Sequence, residues 1–333
     1  MLRAMKQKKT TPTMKDVARE AGVSLGTVSK VMNGIPVGES YRARVEQAAQ
    51  RLGYLVNNYA RGLKTNRTFC VALLLPSLRH PFFAALADEV VACLTRRGYR
   101  CILMITNFDP EAEHKCFRMV QQNKADGLIA LTYSSDLVVD ESLPIVTFDR
   151  HFGPAIPCVS SDNYCGGQMA AEKLLELGCR RLLMLHIGAD IPGEAHKRSA
   201  GFGDYCRRRG ADYTPILLQE GDTEQPFYRY LEEHIRDGSA DFDGIFCSSD
   251  DVLLRIQAFL EQHGVSVPGD VQLIGYDGIP DYATGRYVCS TIVQPVDRMA
   301  ETAVNILLDG GHAAAGASIC LPVKYAWGGT TRS

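Results

Sequence analysis

The chain has 333 residues, 46% hydrophobic and 22% charged, which suits two or three domains of a soluble globular protein. No run approaches the roughly 18 apolar residues of a membrane span, and the basic N-terminus has no apolar stretch behind it, so no membrane contact, no signal peptide and a cytoplasmic location are expected. The formal net charge of −2 hides a division: residues 1–67 carry 13 Lys and Arg against 4 acids, a net of +9, and residues 68–333 the remaining 23 against 34, a net of −11. A basic head on an acidic body is the footprint of a nucleic-acid-binding module joined to something else.

Residues 1–12 read as a basic disordered tail, and the helical head follows over 13–56. "TMKDVAREAGVS" opens with Thr13, a candidate N-cap, and Asp16 three residues on, and Val17, Ala18 and Ala21 recur at helical spacing. Gly22 tolerates the positive φ of a tight turn, and Ser24 can cap the next helix by accepting from a backbone N–H near Thr27. In "VSLGTVSKVMNG" the apolar Val28, Val31 and Met32 share one face, and Leu25, Gly26, Ser29, Lys30 and Asn33 occupy the other. A third amphipathic helix in "SYRARVEQAAQRLGY" turns Val45, Ala48, Ala49 and Leu52 inward.

Two short helices around a glycine turn, completed by a third, make a helix-turn-helix. Its second helix places N-terminal residues against base edges in the major groove. Lys30 can donate to guanine O6 or N7, Leu25 can touch a thymine methyl, and Gly26 admits close backbone approach. Thr27, Ser29, Arg19 and Arg42 suit phosphate contacts, which position without specifying. A plain three-helix bundle with a solvated second helix is the competing reading.

"MKDVAREAGVSLGTVSKVMNG" with "RVEQAAQRLGYLVNNYARGLK" resembles the DNA-binding head of the LacI/GalR family over about 50 gap-free residues. The resemblance implies a hinge helix in "NNYARGLK", within a linker over 57–67, that folds only on DNA, with Leu63 wedged into the minor groove at the operator centre. Asn57 can cap that helix, and so short a segment is marginal alone. Asn57, Ala60, Leu63 and Lys64 therefore join the expected DNA contacts, as do the caps Thr13 and Ser24. The head departs from the family at Val56, where proline is usual, at Gly38 and Tyr41, where a Ser–x–x–Thr cap is usual, and at Lys30, often arginine.

In the body, apolar strand runs alternate with helical spacing: "FCVALLLP", helix 81–98, "YRCILMITN", helix 110–123, "DGLIAL" and "PIVTFD". After Asp162 the pattern restarts, with helices 164–178, 196–209, 226–237 and 252–263 between the strands "RRLLMLHIG", "ILLQEGD", "FDGIFCSSD" and "VQLIGYD". Such alternation predicts two doubly wound parallel-sheet lobes with an α/β architecture, and open parallel sheets bind ligands beyond their C-terminal strand ends. The resemblance extends here to the family's effector-binding core, itself similar to periplasmic sugar-binding proteins. It implies chain crossovers near 163–167, 292–297 and 312–318. The first lobe is then 68–164 plus 296–314, and the second 165–295 plus 315–333, with "SICLPVKYAW" finishing in the second.

Asp149, Asp222, Ser249, Asp250 and Asp277 stand at predicted strand ends, Arg198 starts a helix, and Phe82 and Phe83 follow the first strand. Carboxylates and a guanidinium can satisfy sugar hydroxyls while aromatic faces take the C–H side. By resemblance Asp149, Arg198, Ser249 and Asp277 match sugar-contacting positions, and Asp222 and Thr223 border a position that is often aromatic. For each carboxylate a structural role at a strand end or helix cap competes, evenly so for Asp250. Purine or nucleoside sensors share the framework.

The expected function is a one-component transcription regulator, a repressor by first reading, with double-stranded DNA bearing a pseudo-palindromic operator and a small effector, a sugar or sugar derivative, as its partners. No terminal leucine heptad follows the last strand, so a homodimer is expected. Activation, or control by a protein co-regulator, is the alternative within the family, and a pure solute-binding protein lies outside it. An enzyme is disfavoured: there is no P-loop, no GxGxxG after a strand, no GxSxG elbow and no HExxH. The eleven cysteines form no CxxC pair, so no metal, redox site or cofactor is expected.

Overall fold

A computed structural model describes residues 12–32, 34–54, 67–122, 124–132, 144–188, 193–219, 222–310 and 316–333. The basic tail to residue 11, the hinge segment and the expected DNA contacts Asn33, Asn57, Ala60, Leu63 and Lys64 lie outside the described residues. Contacts divide the chain into two compact units, Met1–Arg67 and Thr68–Ser333.

The first unit holds α1 (Met14–Ala21), α2 (Leu25–Met32) and α3 (Glu39–Leu52). At the start of α1 the Asp16 carboxylate reaches back to accept from the Thr13 backbone N–H at 2.9 Å and its hydroxyl at 2.8 Å. Gly22 ends the helix at φ 60°, a left-handed conformation open to a residue without Cβ. Ser24 Oγ then accepts from the Thr27 N–H at 3.1 Å and caps α2. Val17, Ala18, Ala21, Val28, Val45 and Ala48 form the buried core, with Val31, Met32, Ala49 and Leu52 packed against it. Burial of each of its valines stabilises the unit by about 1.5–3 kcal/mol. Arg44 adds a lock on the turn, donating to the carbonyls of Ala21 at 2.6 Å and Gly22 at 2.8 Å.

The second unit has two lobes. The first lobe's sheet contains β1 (Cys70–Leu75), β2 (Arg100–Ile105), β3 (Leu128–Ala130), β4 (Ile145–Phe148), β5 (Cys158–Ser161) and β15 (Ser318–Leu321), all parallel, in the order β15-β5-β4-β3-β1-β2. Every residue of β1 is buried because both faces are covered. Val71, Leu73 and Leu75 pack on α4 (Pro81–Arg96) and α10 (Val296–Asn305), while Ala72 and Leu74 pack on α5 (Pro110–Gln121).

The second lobe's sheet contains β6 (Arg181–Gly188), β7 (Asp212–Gln219), β10 (Gly244–Cys247), β11 (Gln272–Asp277), β14 (Thr291–Val293) and β16 (Lys324–Ala326), in the order β16-β14-β11-β10-β6-β7. Its faces carry α6 (Asn163–Glu176) with α7 (Lys197–Arg209), and α8 (Gln225–His234) with α9 (Asp250–Gln262). Two short hairpins, β8 (Ile235–Arg236) with β9 (Ser239–Ala240) and β12 (Pro280–Asp281) with β13 (Arg286–Tyr287), decorate this lobe.

The chain passes between lobes after β5, after β14, and between β15 and β16. The third passage corrects the sequence reading, which placed it at 312–318 and assigned 315–333 to the second lobe. Ser318–Leu321 instead pairs in parallel with Cys158–Ser161, burying Leu321 and seating Ile319 against the first lobe's core. That strand covers an edge of β5 that would otherwise leave backbone donors and acceptors unpaired. The chain joins the second lobe from Lys324 onward, Lys324–Ala326 pairing antiparallel to β14 and Thr330 and Arg332 bonding Leu273 and Gln272. β5 itself went unanticipated, because four residues reading CVSS show no strand periodicity.

Candidate functional site

The C-terminal ends of the parallel strands converge on one cavity of about 310 Å³ between the lobes. The first lobe supplies Phe82, Phe83, Leu131 and Phe148 as an apolar wall, with His80, Thr132, Asp149 and Arg150 among them. The second lobe supplies Arg198, Asp222, Glu224, Ser248, Ser249, Asp251, Arg255 and Asp277, with Ile187, Gly188 and His196. Of the residues singled out from sequence, Phe82, Phe83, Asp149, Arg198, Asp222, Ser249 and Asp277 come together here.

Two do not. Thr223 is exposed and turns away while its neighbours Asp222 and Glu224 take the cavity side. Asp250 is fully buried as the first residue of α9, and its Oδ2 accepts from the N–H groups of Gly278 at 2.9 Å and Ile279 at 2.7 Å. Its role is to hold the turn that follows Asp277. Burial and the neighbouring Asp277 charge push its carboxyl pKa up.

Arg198 organises the centre. Its Nε donates to Asn163 Oδ1 at 2.7 Å and its Nη1 to the Ser248 carbonyl at 2.8 Å, with Asp277 Oδ1 3.8 Å away. The guanidinium lies over the Tyr276 ring, 3.7 Å from its centroid. Asp277 has φ 116° and Asp149 φ 54°, both strained for non-glycine residues. Gln294 Nε2 donates to Asp277 Oδ1 at 2.8 Å. Asp277 Oδ2 and Asp149 Oδ1 are buried without a hydrogen-bond partner. Burial raises the pKa of both carboxyls, Asp149 to about 6, against the opposing charge of Arg198.

Other wall groups escaped the sequence reading. His80 Nε2 stands 4.0 Å from Asp277 Oδ2, reaching across from the first lobe. Arg255 donates through Nε to both Glu224 oxygens at 3.0 Å and through Nη1 to Asp251 at 2.6 Å. The spacing of Asp251 and Arg255, one helical turn apart, was a legible signal of that pair; His80 and Glu224 carried none. Behind the wall His186 is buried, its pKa lowered to about 3 by burial and by the charges of Arg198 and His196.

In the helical unit Leu25 is 44% exposed, and Gly26 and Lys30 are exposed beside it, so the face opposite Val28 is open. Ser29 and Arg42 are half-buried. Thr13 and Ser24 are engaged as caps, Thr27 Oγ1 lies 2.9 Å from Ser24 Oγ, and Arg19 pairs with Asp16 at 2.5 Å. Among the described residues no helix is long and apolar enough to cross a membrane, and no cluster of three His, Cys, Asp or Glu could hold a metal ion.

Residues 13–57 match the family model of bacterial regulatory proteins of the lacI family, and residues 68–301 match that of periplasmic binding proteins and the sugar binding domain of the LacI family. The ribose operon repressor of Bacillus subtilis (strain 168) is 32% identical over 96% of this chain and 98% of its own. The sucrose operon repressor of Streptococcus mutans is 31% identical over 88% of this chain and 91% of its own. The crystal structure of the lac repressor dimer bound to operator and the anti-inducer ONPF superposes with a TM-score of 0.77, covering 97% of this chain and 100% of that one, at 21% identity.

Proposed function

The chain belongs to the LacI family of bacterial regulatory proteins, DNA-binding regulators rather than enzymes, and on that premise we propose a repressor whose hold on its operator is released by an uncharged polyhydroxyl effector in the interlobe cavity. The observation that carries the effector reading is that two cavity-lining carboxylates keep a buried oxygen without a hydrogen-bond partner, Asp149 Oδ1 from one lobe and Asp277 Oδ2 from the other. Each needs a donor, and sugar hydroxyls supply donors to both lobes at once.

The charges argue against a phosphorylated ligand. Five acids, Asp149, Asp222, Glu224, Asp251 and Asp277, line the cavity against Arg150, Arg198 and Arg255. Arg255 is committed to Glu224 and Asp251, and Arg198 to Asn163 and Ser248. Arg150 lies over Phe152, 4.5 Å from the ring centroid, and bonds Thr132 Oγ1 at 3.3 Å. An anion would bring further buried negative charge without a new cation to meet it.

The open face of α2, with Leu25, Gly26 and Lys30, reads bases, and Arg19, Thr27, Ser29 and Arg42 approach phosphates. The protein acts in the cytoplasm as a homodimer, its two heads matching a twofold operator. Effector binding favours one arrangement of the lobes, and coupling of typically 1–3 kcal/mol transmits that preference to operator affinity.

The test selects DNA from random duplexes with the full chain at a stated salt concentration, then titrates the selected duplex with sucrose, ribose and glucose 6-phosphate. We expect a pseudo-palindrome, released by a neutral sugar in the wild type and not in Asp277→Asn. Failure to enrich any sequence, or release by the phosphate ester in preference to neutral sugars, overturns the reading.

A further inference from the structure

A short 3-10 turn, Glu194–His196, leads into α7; its Ala195 and His196 line the cavity and Glu194 does not. We infer that Glu194 is a positioning residue that clasps the two lobes at the rim of the cavity, keeping Asp149 in register with the helix that bears Arg198. The inference rests on the reading of the cavity as the effector site.

Glu194 grips the first lobe twice. Its backbone N–H donates to the Asp149 carbonyl at 2.9 Å, and its Oε1 lies 3.1 Å from His151 Nε2. The two side chains stand 43 positions apart in sequence and belong to different lobes. Within its own lobe, Lys197 Nζ donates to both carboxylate oxygens at 2.7 Å. Both oxygens are thereby occupied, and Glu194 itself does not line the cavity, although Gly193, Ala195 and His196 do. It acts through Asp149 rather than on the ligand.

Burial explains why the clasp is worth forming. Glu194 is only 7% exposed, whereas the side chains of His151 and Lys197 are about half exposed. A carboxylate so withdrawn from water needs its donors, and one of them is available only when the lobes meet. Asp149 gains as well, because its left-handed backbone persists only where the surroundings hold it. The clasp therefore adds stability to the closed arrangement before any ligand enters. Apparent effector affinity scales with the fraction of molecules in that arrangement.

The experiment is single-molecule energy transfer on the full chain without ligand, using unnatural amino acids to carry dyes at Lys115 on α5 and Arg229 on α8, exposed positions in different lobes. Glu194→Ala and His151→Ala should each lower the closed-to-open ratio roughly fivefold, as loss of one charge-assisted hydrogen bond implies. The double variant should shift it no further than either single one, since the two groups form one contact. Lys197→Ala, which breaks a bond inside the second lobe, should shift it less. Glu194→Gln, with the same shape and no charge, carries the test should Glu194→Ala not fold, as thermal melting will report. An unchanged distance distribution, or additive effects in the double variant, would falsify the clasp. Because no ligand is present, this outcome is independent of whether sugars or other molecules release the operator.

Discussion

The two units of this protein solve recognition in opposite ways. In the helical unit the proposed reading residues stand in water: Leu25, Gly26 and Lys30 are exposed, and the internal bonds hold the backbone beneath them, through Asp16, Gly22, Ser24 and Arg44. In the core the proposed effector contacts are already withdrawn from water, with Asp149 Oδ1 and Asp277 Oδ2 unpartnered beside the well-bonded Arg198. A DNA-reading face is desolvated only when the duplex arrives, and phosphate contacts drive that step. A small ligand offers little area, so its site holds strained, desolvated polar groups in place beforehand. The lesson is that mutations should separate the units: head variants change operator binding alone, and cavity variants change core stability and effector response together.

The largest effect should come from Arg198→Leu. It strips the nearest cation from two buried carboxylates, and breaking such an arrangement costs about 3–5 kcal/mol. Urea unfolding should show the loss in the core, while the wild-type affinity of the folded protein for its selected operator survives. A core as stable as wild type would break the contrast between prepaid and unpaid recognition.

Next in size is a pH effect at Asp149. Its carboxyl pKa is raised from 3.8 to about 6 in the folded core. The native state therefore holds the proton more tightly than the unfolded chain, and this group's contribution to stability falls as pH rises through about 4 to 6. Above that window the cost levels off at about 3 kcal/mol, and below it the cost vanishes. A ligand that donates to the ionised carboxylate should bind better as pH rises through about 6, where the folded group loses its proton. Asp149→Asn should flatten the stability profile, measured by unfolding at a series of pH values; an unchanged profile would place the titrating group elsewhere.

Smallest is Lys30→Ala, expected to cost about 1–3 kcal/mol on the selected operator and to relax preference at one base position. Effector binding and core unfolding should stay at wild-type values. Equal weakening on every sequence would make Lys30 a phosphate contact and sharpen the map of the reading face.

Much of the architecture was legible because it is local. Val17, Val28 and Val45 mark helix faces by spacing, Gly22 and Ser24 mark the turn, and the apolar run Cys70–Leu75 marks a strand covered on both sides. The cavity was partly legible for a related reason: strand C-termini face a shared cleft, so acids at strand ends are candidates. That rule cannot rank its candidates. Asp250 and Asp277 both follow apolar strands, yet one is tied to the backbone of Gly278 and Ile279 and the other is left open to the cavity.

By itself, then, the sequence determined the helical head, the two wound lobes and the polar character of the site, because hydrogen-bonded periodicity and burial of apolar faces are written in neighbouring residues. Only the tertiary structure decided that Ser318–Leu321 closes the first sheet, that Asp250 supports rather than contacts, and that Glu194 meets His151. Those outcomes depend on which edges, donors and charges meet after the chain has crossed between lobes. Pairing energies of that kind act across tens to hundreds of residues and leave no local pattern.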